Sequence, residues 1–132
     1  DGAGKGAGAQ DSGAPMSPLE RLAIVLAGLL GASGVAAAAG SSHAGAALLG
    51  PYSLIALTHA PAILALALAP LPKIFNWALI ALMIGAFFFC GDLALRYFAG
   101  ASPLPLLAPA GGMMLIAGWL FVFIGGLFGR RG

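Results

Sequence analysis

Four long apolar runs, set apart by short segments rich in glycine and proline, limit what this chain can become. They are Leu22–Gly40, Tyr52–Ala69, Ile74–Leu95 and Leu104–Phe128, with separators reading GSSHAG, GPYS, APLPK and AGASPLP. About 20 apolar residues in a helix cross the hydrocarbon core of a bilayer, and each run is close to that length. The expected fold class is all-α: an integral membrane four-helix bundle. Composition agrees, because 61% of the residues are hydrophobic and only 8% charged, whereas a soluble domain carries about 25% charged residues. So little charge cannot cover a water-facing surface, and lipid is the natural solvent. The net charge of +2 and the lack of a basic stripe among aromatics give no reason to expect nucleic acid as a partner.

Residues 1–18 read as a flexible low-complexity N-terminal tail and 19–132 as the four-span domain. Met16 followed by SPLERL resembles a natural translation start, so the preceding DGAGKGAGAQDSGAP is expected to be an added, upstream or processed segment. Its GAGKGAG lacks the strand before it and the helix after it that would make a phosphate loop.

With four spans both termini share one side of the membrane. Arg21, Lys73, Arg130 and Arg131 all fall on that side, and Arg96 falls near the opposite one. The excess of Lys and Arg in cytoplasmic segments therefore predicts cytoplasmic termini. Tyr52 and Tyr97 are expected as anchors at the outer interface and Trp77 at the inner one. Trp119 lies too deep in its run for a belt position and is expected to pack against a neighbouring helix.

Helices in lipid associate by close approach, which small residues permit. Gly111, Gly118 and Gly125 recur every seven residues, Gly125 and Gly129 form a GxxxG pair, and Gly28, Gly31 and Gly34 recur every three. These are the candidate packing stripes. Pro61 is expected to kink the second span by freeing the carbonyl of Leu57, and Pro109, followed by Gly111 and Gly112, to break the start of the fourth locally.

Charge inside the third span is the least expected feature. Asp92 and Arg96 are four apart, hence on one helix face, with the acid in the better N-terminal position. A bare charge at mid-membrane costs roughly 2.5–3.5 kcal/mol on insertion scales, which pairing and snorkelling of the arginine reduce. His59 in the second span and His43 after the first fall in the same outer half, so four polar candidates, His43, His59, Asp92 and Arg96, are expected to converge there. One reading is a cluster tying helices together by hydrogen bonds. The other is a proton or small-solute site, since a histidine beside a carboxylate titrates near neutral pH. The lack of a polar relay toward the inner side favours the first.

No metal site is expected, because Cys90 and Asp92 are two apart on a helix and point to nearly opposite sides. Cys90 reads as a small buried apolar residue. No catalytic motif is present, so neither an enzyme nor a cofactor is expected.

These motifs, in this order, resemble the small membrane proteins grouped as domain of unknown function 423. AAAAGSSHAG is similar to the family's G-A-F-G-A-H motif and places His43 at its histidine. THAP matches a Tyr-His pair, with Thr58 at the tyrosine and His59 at the histidine; FFCGDLAL is similar to an F-S-G-S-L-Y segment, and APAGGMMLIAGWL to a T-P-L-G-G stretch leading into a tryptophan-containing span. Asp92 stands where serine is usual, Arg96 is an addition, and the loop between the first two spans is shorter. The resemblance implies four helices in a bacterial inner membrane, or a mitochondrial membrane for eukaryotic relatives, and no established activity. The expected partners are the bilayer and other membrane proteins or further copies of the chain, in an accessory, assembly or structural role; handling of protons or a small solute is the alternative.

Overall fold

The computed structural model describes residues 15–44, 47–100 and 105–130. Four helices account for nearly all of them: α1 Pro18–Ala44, α2 Leu49–Leu68, α3 Ile74–Ala99 and α4 Leu107–Phe128. Residues 1–14 of the expected tail, and Leu104 at the expected start of the fourth span, lie outside the described residues.

Each helix boundary has a local cause. The Ser17 hydroxyl accepts from the Glu20 N–H at 3.1 Å, and the Glu20 carboxylate accepts from the Ser17 N–H at 3.3 Å. This is a capping box, with Pro18 at the first helical position, where its missing N–H costs nothing. α1 is therefore capped at Ser17, inside the stretch the sequence reading gives to the tail. α3 ends on Gly100, which takes φ 80° and donates its N–H to the Arg96 carbonyl; glycine reaches this left-handed conformation without a Cβ penalty. α4 differs from expectation, because it runs unbroken from Leu107 through Pro109. Pro109 stands in the first turn, where N–H groups have no helical partner, so its lack of one leaves the ladder intact. Pro61 likewise lies within a single continuous α2.

All four helices are long and apolar enough to span a membrane, which makes this a multi-pass membrane protein. The 20 residues of α2 just match a hydrocarbon core of about 30 Å. α1, with 27 residues, extends to about 40 Å, so its ends reach the headgroups. The outward surface supports the same conclusion. Phe123 and Trp77 are more than 60% exposed, and Phe98 reaches 84%, an arrangement that lipid accepts and water does not.

Packing follows the chain order. α1 pairs with α2 and α3 with α4, α2 and α3 join the two pairs, and α1 only brushes α3. No Cα of α2 comes within 8 Å of one in α4. The core combines small residues (Ala23, Ala27, Ala56, Ala60, Ala86) with Leu30, Ile63, Leu79, Leu82 and Leu115.

Glycines set the closest approaches. A Cβ on Gly111 would stand 2.6 Å from the Phe89 backbone nitrogen and 2.9 Å from the Gly85 carbonyl, and one on Gly85 would stand 2.8 Å from the Leu115 nitrogen. Gly118 abuts Leu82, and Gly125 abuts Phe75 and Ile74. The seven-residue glycine row thus lies along α3, and Gly85, which the sequence reading missed, completes its tightest point. Gly129 lies just beyond α4, where a Cβ would come 3.4 Å from Pro72. In α1 the expected stripe is corrected. Gly34 presses on Leu57 and Ala56, Gly31 reaches Ala60 only at ordinary contact distance, and Gly28 meets nothing within 4 Å. A helix turns about 100° per residue, so a three-residue repeat drifts off the contact face within two turns.

Replacing Gly111 with alanine is therefore expected to destabilise the protein by about 1–3 kcal/mol through forced separation of α3 and α4. Gly28→Ala is expected to stay within about 0.5 kcal/mol of the parent. Unfolding equilibria of the two variants in one detergent or bicelle check the difference.

Candidate polar site

Asp92 is fully buried on α3, and its Oδ2 accepts a 2.9 Å bond from the Nε of Arg96, whose side chain is 39% exposed. The i,i+4 spacing puts both on one helix face, and the long arginine reaches the α3 C-terminus, where positive charge is favoured. Arg96 is not the only partner of Asp92. The helix register adds a second reason for the acid. Gly111 meets α3 at Phe89, so continuing the antiparallel pair sets Asp92 level with the first turn of α4. That turn has Leu106 at its N-cap and no side-chain cap bond, leaving N–H groups and the positive helix end to be compensated from elsewhere. A buried negative charge at that level suits it.

His59 is buried on α2 and sits in a different network. Trp119 donates its indole N–H to His59 Nε2 at 3.0 Å. Indole is a donor only, so Nε2 accepts and the ring proton resides on Nδ1. From there it faces the Ile55 carbonyl at 2.9 Å and the Thr58 hydroxyl oxygen at 3.0 Å, while that hydroxyl donates to Leu54 O at 2.7 Å. The two rings meet edge to face at 5.8 Å between centroids, a favoured aromatic geometry. Trp119 thus does more than pack: it supplies the hydrogen bond that links α2 to α4, helices whose backbones stay apart.

These two polar groupings do not lie at one level. Gly118, next to Trp119, packs on Leu82, and Leu82 precedes Asp92 by ten residues, about 15 Å of helix. His59 belongs to the middle of the bundle, whereas Asp92 and Arg96 belong to the end away from the termini. The expected convergence on one site is corrected in that respect. His43 falls in the last turn of α1 instead of a loop, and its side chain lies outside the described residues.

A third polar contact was not expected. Tyr52, read from sequence as an interface anchor, is only partly exposed, and its hydroxyl lies 2.7 Å from that of Ser33 on α1. Among the described residues no buried side-chain nitrogen or oxygen lacks a partner. Nor do any three His, Cys, Asp or Glu side chains among them come close enough to hold one metal ion. Cys90 is buried among apolar neighbours as a free thiol.

Two stability predictions follow from this geometry. Trp119→Phe removes the donor to a buried acceptor, and a double-mutant cycle with His59→Leu is expected to return a coupling of about 0.6–1.7 kcal/mol. Arg96→Met strips Asp92 of a charged partner and is expected to cost about 1–3 kcal/mol, more than Asp92→Asn, Arg96→Met does as a pair. Unfolding in bicelles measures both.

The model of the DUF423 family, described as a protein of unknown function, matches residues 30–112, well over half of the chain. No curated protein and no solved structure matches it.

Proposed function

The chain belongs to the DUF423 family, and from that membership and its four membrane-length helices we propose that it is a non-enzymatic accessory, assembly or structural subunit. In this reading it acts through helix–helix contacts with other membrane proteins or with further copies of itself.

One observation carries the proposal: His59 and Asp92, buried within α2 and α3, are engaged in bonds inside the chain, and α2, α3 and α4 carry no charged or histidine residue from them to the helix ends on the termini side. His59 uses both ring nitrogens on Ile55, Thr58 and Trp119. Asp92 is held by Arg96. Beyond them, Ala60–Leu68, Ile74–Gly91 and the whole of Leu107–Phe128 contain no Asp, Glu, Lys, Arg or His. A relay for protons or ions needs successive polar or ionisable groups across the membrane. The outward surface, by contrast, suits contact in lipid: it is apolar, and Gly28, Gly91 and Gly126 have open space where a Cβ would stand.

We also place the chain in an inner membrane, or a mitochondrial membrane in a eukaryote, with both termini on the cytoplasmic or matrix side. Arg21, Lys73, Arg130 and Arg131 on the termini side support this, against Arg96 on the other. In a Cys90→Ala background, Ser17→Cys is expected to react with a membrane-impermeant maleimide only after the vesicle interior is opened. Labelling in sealed right-side-out vesicles would reverse the orientation.

The role is tested by the native mass of the complex released from its own membrane in mild detergent, with its components identified. Stoichiometric unrelated subunits, or a defined homo-oligomer, are the expected result. A monomer that carries a pH-dependent proton or solute flux after reconstitution, abolished by His59→Ala, would overturn the proposal in favour of transport.

A further inference from the structure

At the end of the bundle away from the termini, α1, α2 and α3 flank an open cavity of about 360 Å³. Ser33 and Ala36 of α1, Tyr52 of α2, and Ala94, Tyr97 and Phe98 of α3 shape it. It lies between helices long and apolar enough to span a membrane, and its rim residues Ala36, Tyr97 and Phe98 are exposed on the outer surface, so a molecule dissolved in the membrane has access to it. The volume is that of a small-molecule site, and three features of the wall define what fits.

First, the wall is mostly apolar, and Tyr97 and Phe98 form an edge-to-face pair with centroids 4.9 Å apart. Second, none of the described lining residues carries a charge; a carboxylate or phosphate held among them would be desolvated without a counter-ion from those residues. Third, the polar groups that the described wall offers are hydroxyls, that of Tyr97 and the Ser33–Tyr52 pair, which joins α1 to α2. If the Ser33 proton goes to the Leu30 carbonyl, 3.4 Å away, Tyr52 donates to Ser33 and its own oxygen is left to accept from a ligand. If Ser33 donates to Tyr52, the phenol proton is left to donate. A ligand hydroxyl, both donor and acceptor, satisfies either arrangement.

The geometry points to this cavity as a binding site for an uncharged membrane-dissolved alcohol, its hydroxyl on the Ser33–Tyr52 pair and its aliphatic chain between Ala36, Ala94 and Phe98. Acyl and isoprenoid alcohols share this chemistry. The site is separate from the His59–Trp119 and Asp92–Arg96 groups and does not depend on any partner protein.

The test uses the full chain in phosphatidylcholine vesicles with a long-chain alcohol carrying a photoreactive diazirine, and mass spectrometry maps the labelled residues. Labelling is expected to concentrate on Ala36, Tyr52 and Ala94 over Phe98, Leu120 and Phe123, whose side chains are exposed on the outer surface. Tyr52→Phe keeps the ring and is expected to lower cavity labelling about threefold, the worth of one modest hydrogen bond in a membrane. Ala36→Leu, at an exposed position on the rim, is expected to abolish it. Comparing isoprenoid with straight-chain alcohol probes distinguishes the two sources. Even labelling of the cavity and α4, or labelling unchanged by both variants, would overturn the site. Equal labelling by the corresponding fatty acid would overturn the uncharged class. Cross-links between the cavity of one copy and a second copy would replace the alcohol with a protein contact.

Discussion

Lipid gives helices no hydrophobic reason to associate, and that absence shapes everything else here. Leucine on α4 is as well solvated by an acyl chain as by α3, so the helices are held by dispersion at close range and by a few hydrogen bonds. Contact between α3 and α4 therefore depends on Gly85 and Gly111, where each glycine faces the backbone of the other helix. The same row, through Gly118 and Gly125, keeps the two axes near each other along most of α4. α4 touches neither α1 nor α2 by backbone, so its place in the bundle rests on this seam and on Trp119.

Polar groups then act where a low dielectric makes them matter. In hydrocarbon an unpaired donor or acceptor is expensive, and among the described residues each buried side-chain nitrogen and oxygen has a partner. The His59–Trp119 bond spans the gap between α2 and α4 and sets the histidine tautomer. Asp92 is tolerable in a run of phenylalanines because Arg96 meets it on the same face and because it lies level with the uncapped start of α4. A buried carboxylate there offsets the positive end of a helix that brings no side-chain cap of its own. Of the two polar groups, His59–Trp119 ties α4 to α2, while Asp92–Arg96 lies on α3 nearer the end away from the termini. This is an architectural use of polar groups within an otherwise apolar bundle.

Much of this was legible in the sequence, for reasons tied to particular residues. Span number followed from run length and from the breakers between runs, since Pro70, Pro72, Gly100 and Pro105 cluster where one helix ends and the next has yet to begin. The seven-residue spacing of Gly111, Gly118 and Gly125 marked a contact face because it nearly matches two helical turns. The Ser17-Pro-Leu-Glu20 box was equally readable, but the glycine-rich stretch before it drew the boundary too late. Gly85 carried no such mark, because a lone glycine acquires meaning only from the residue opposite it. The partner of Trp119 was hidden for the same reason, lying sixty residues away in the chain.

What the sequence determined by itself was therefore what composition and near neighbours set: solvent, fold class, the number of helices and the on-helix pairing of Asp92 with Arg96. Tertiary structure alone decided which polar groups meet. Sequence spacing assigned His59 and Asp92 to one half of the membrane, but the register of α3 against α4 put them at separate levels. It likewise turned Tyr52 inward onto Ser33, making the wall of a cavity from a residue that reads as an interface anchor. Depth along a helix can be counted from the chain, whereas rotation and register between helices depend on side chains that share no sequence neighbourhood.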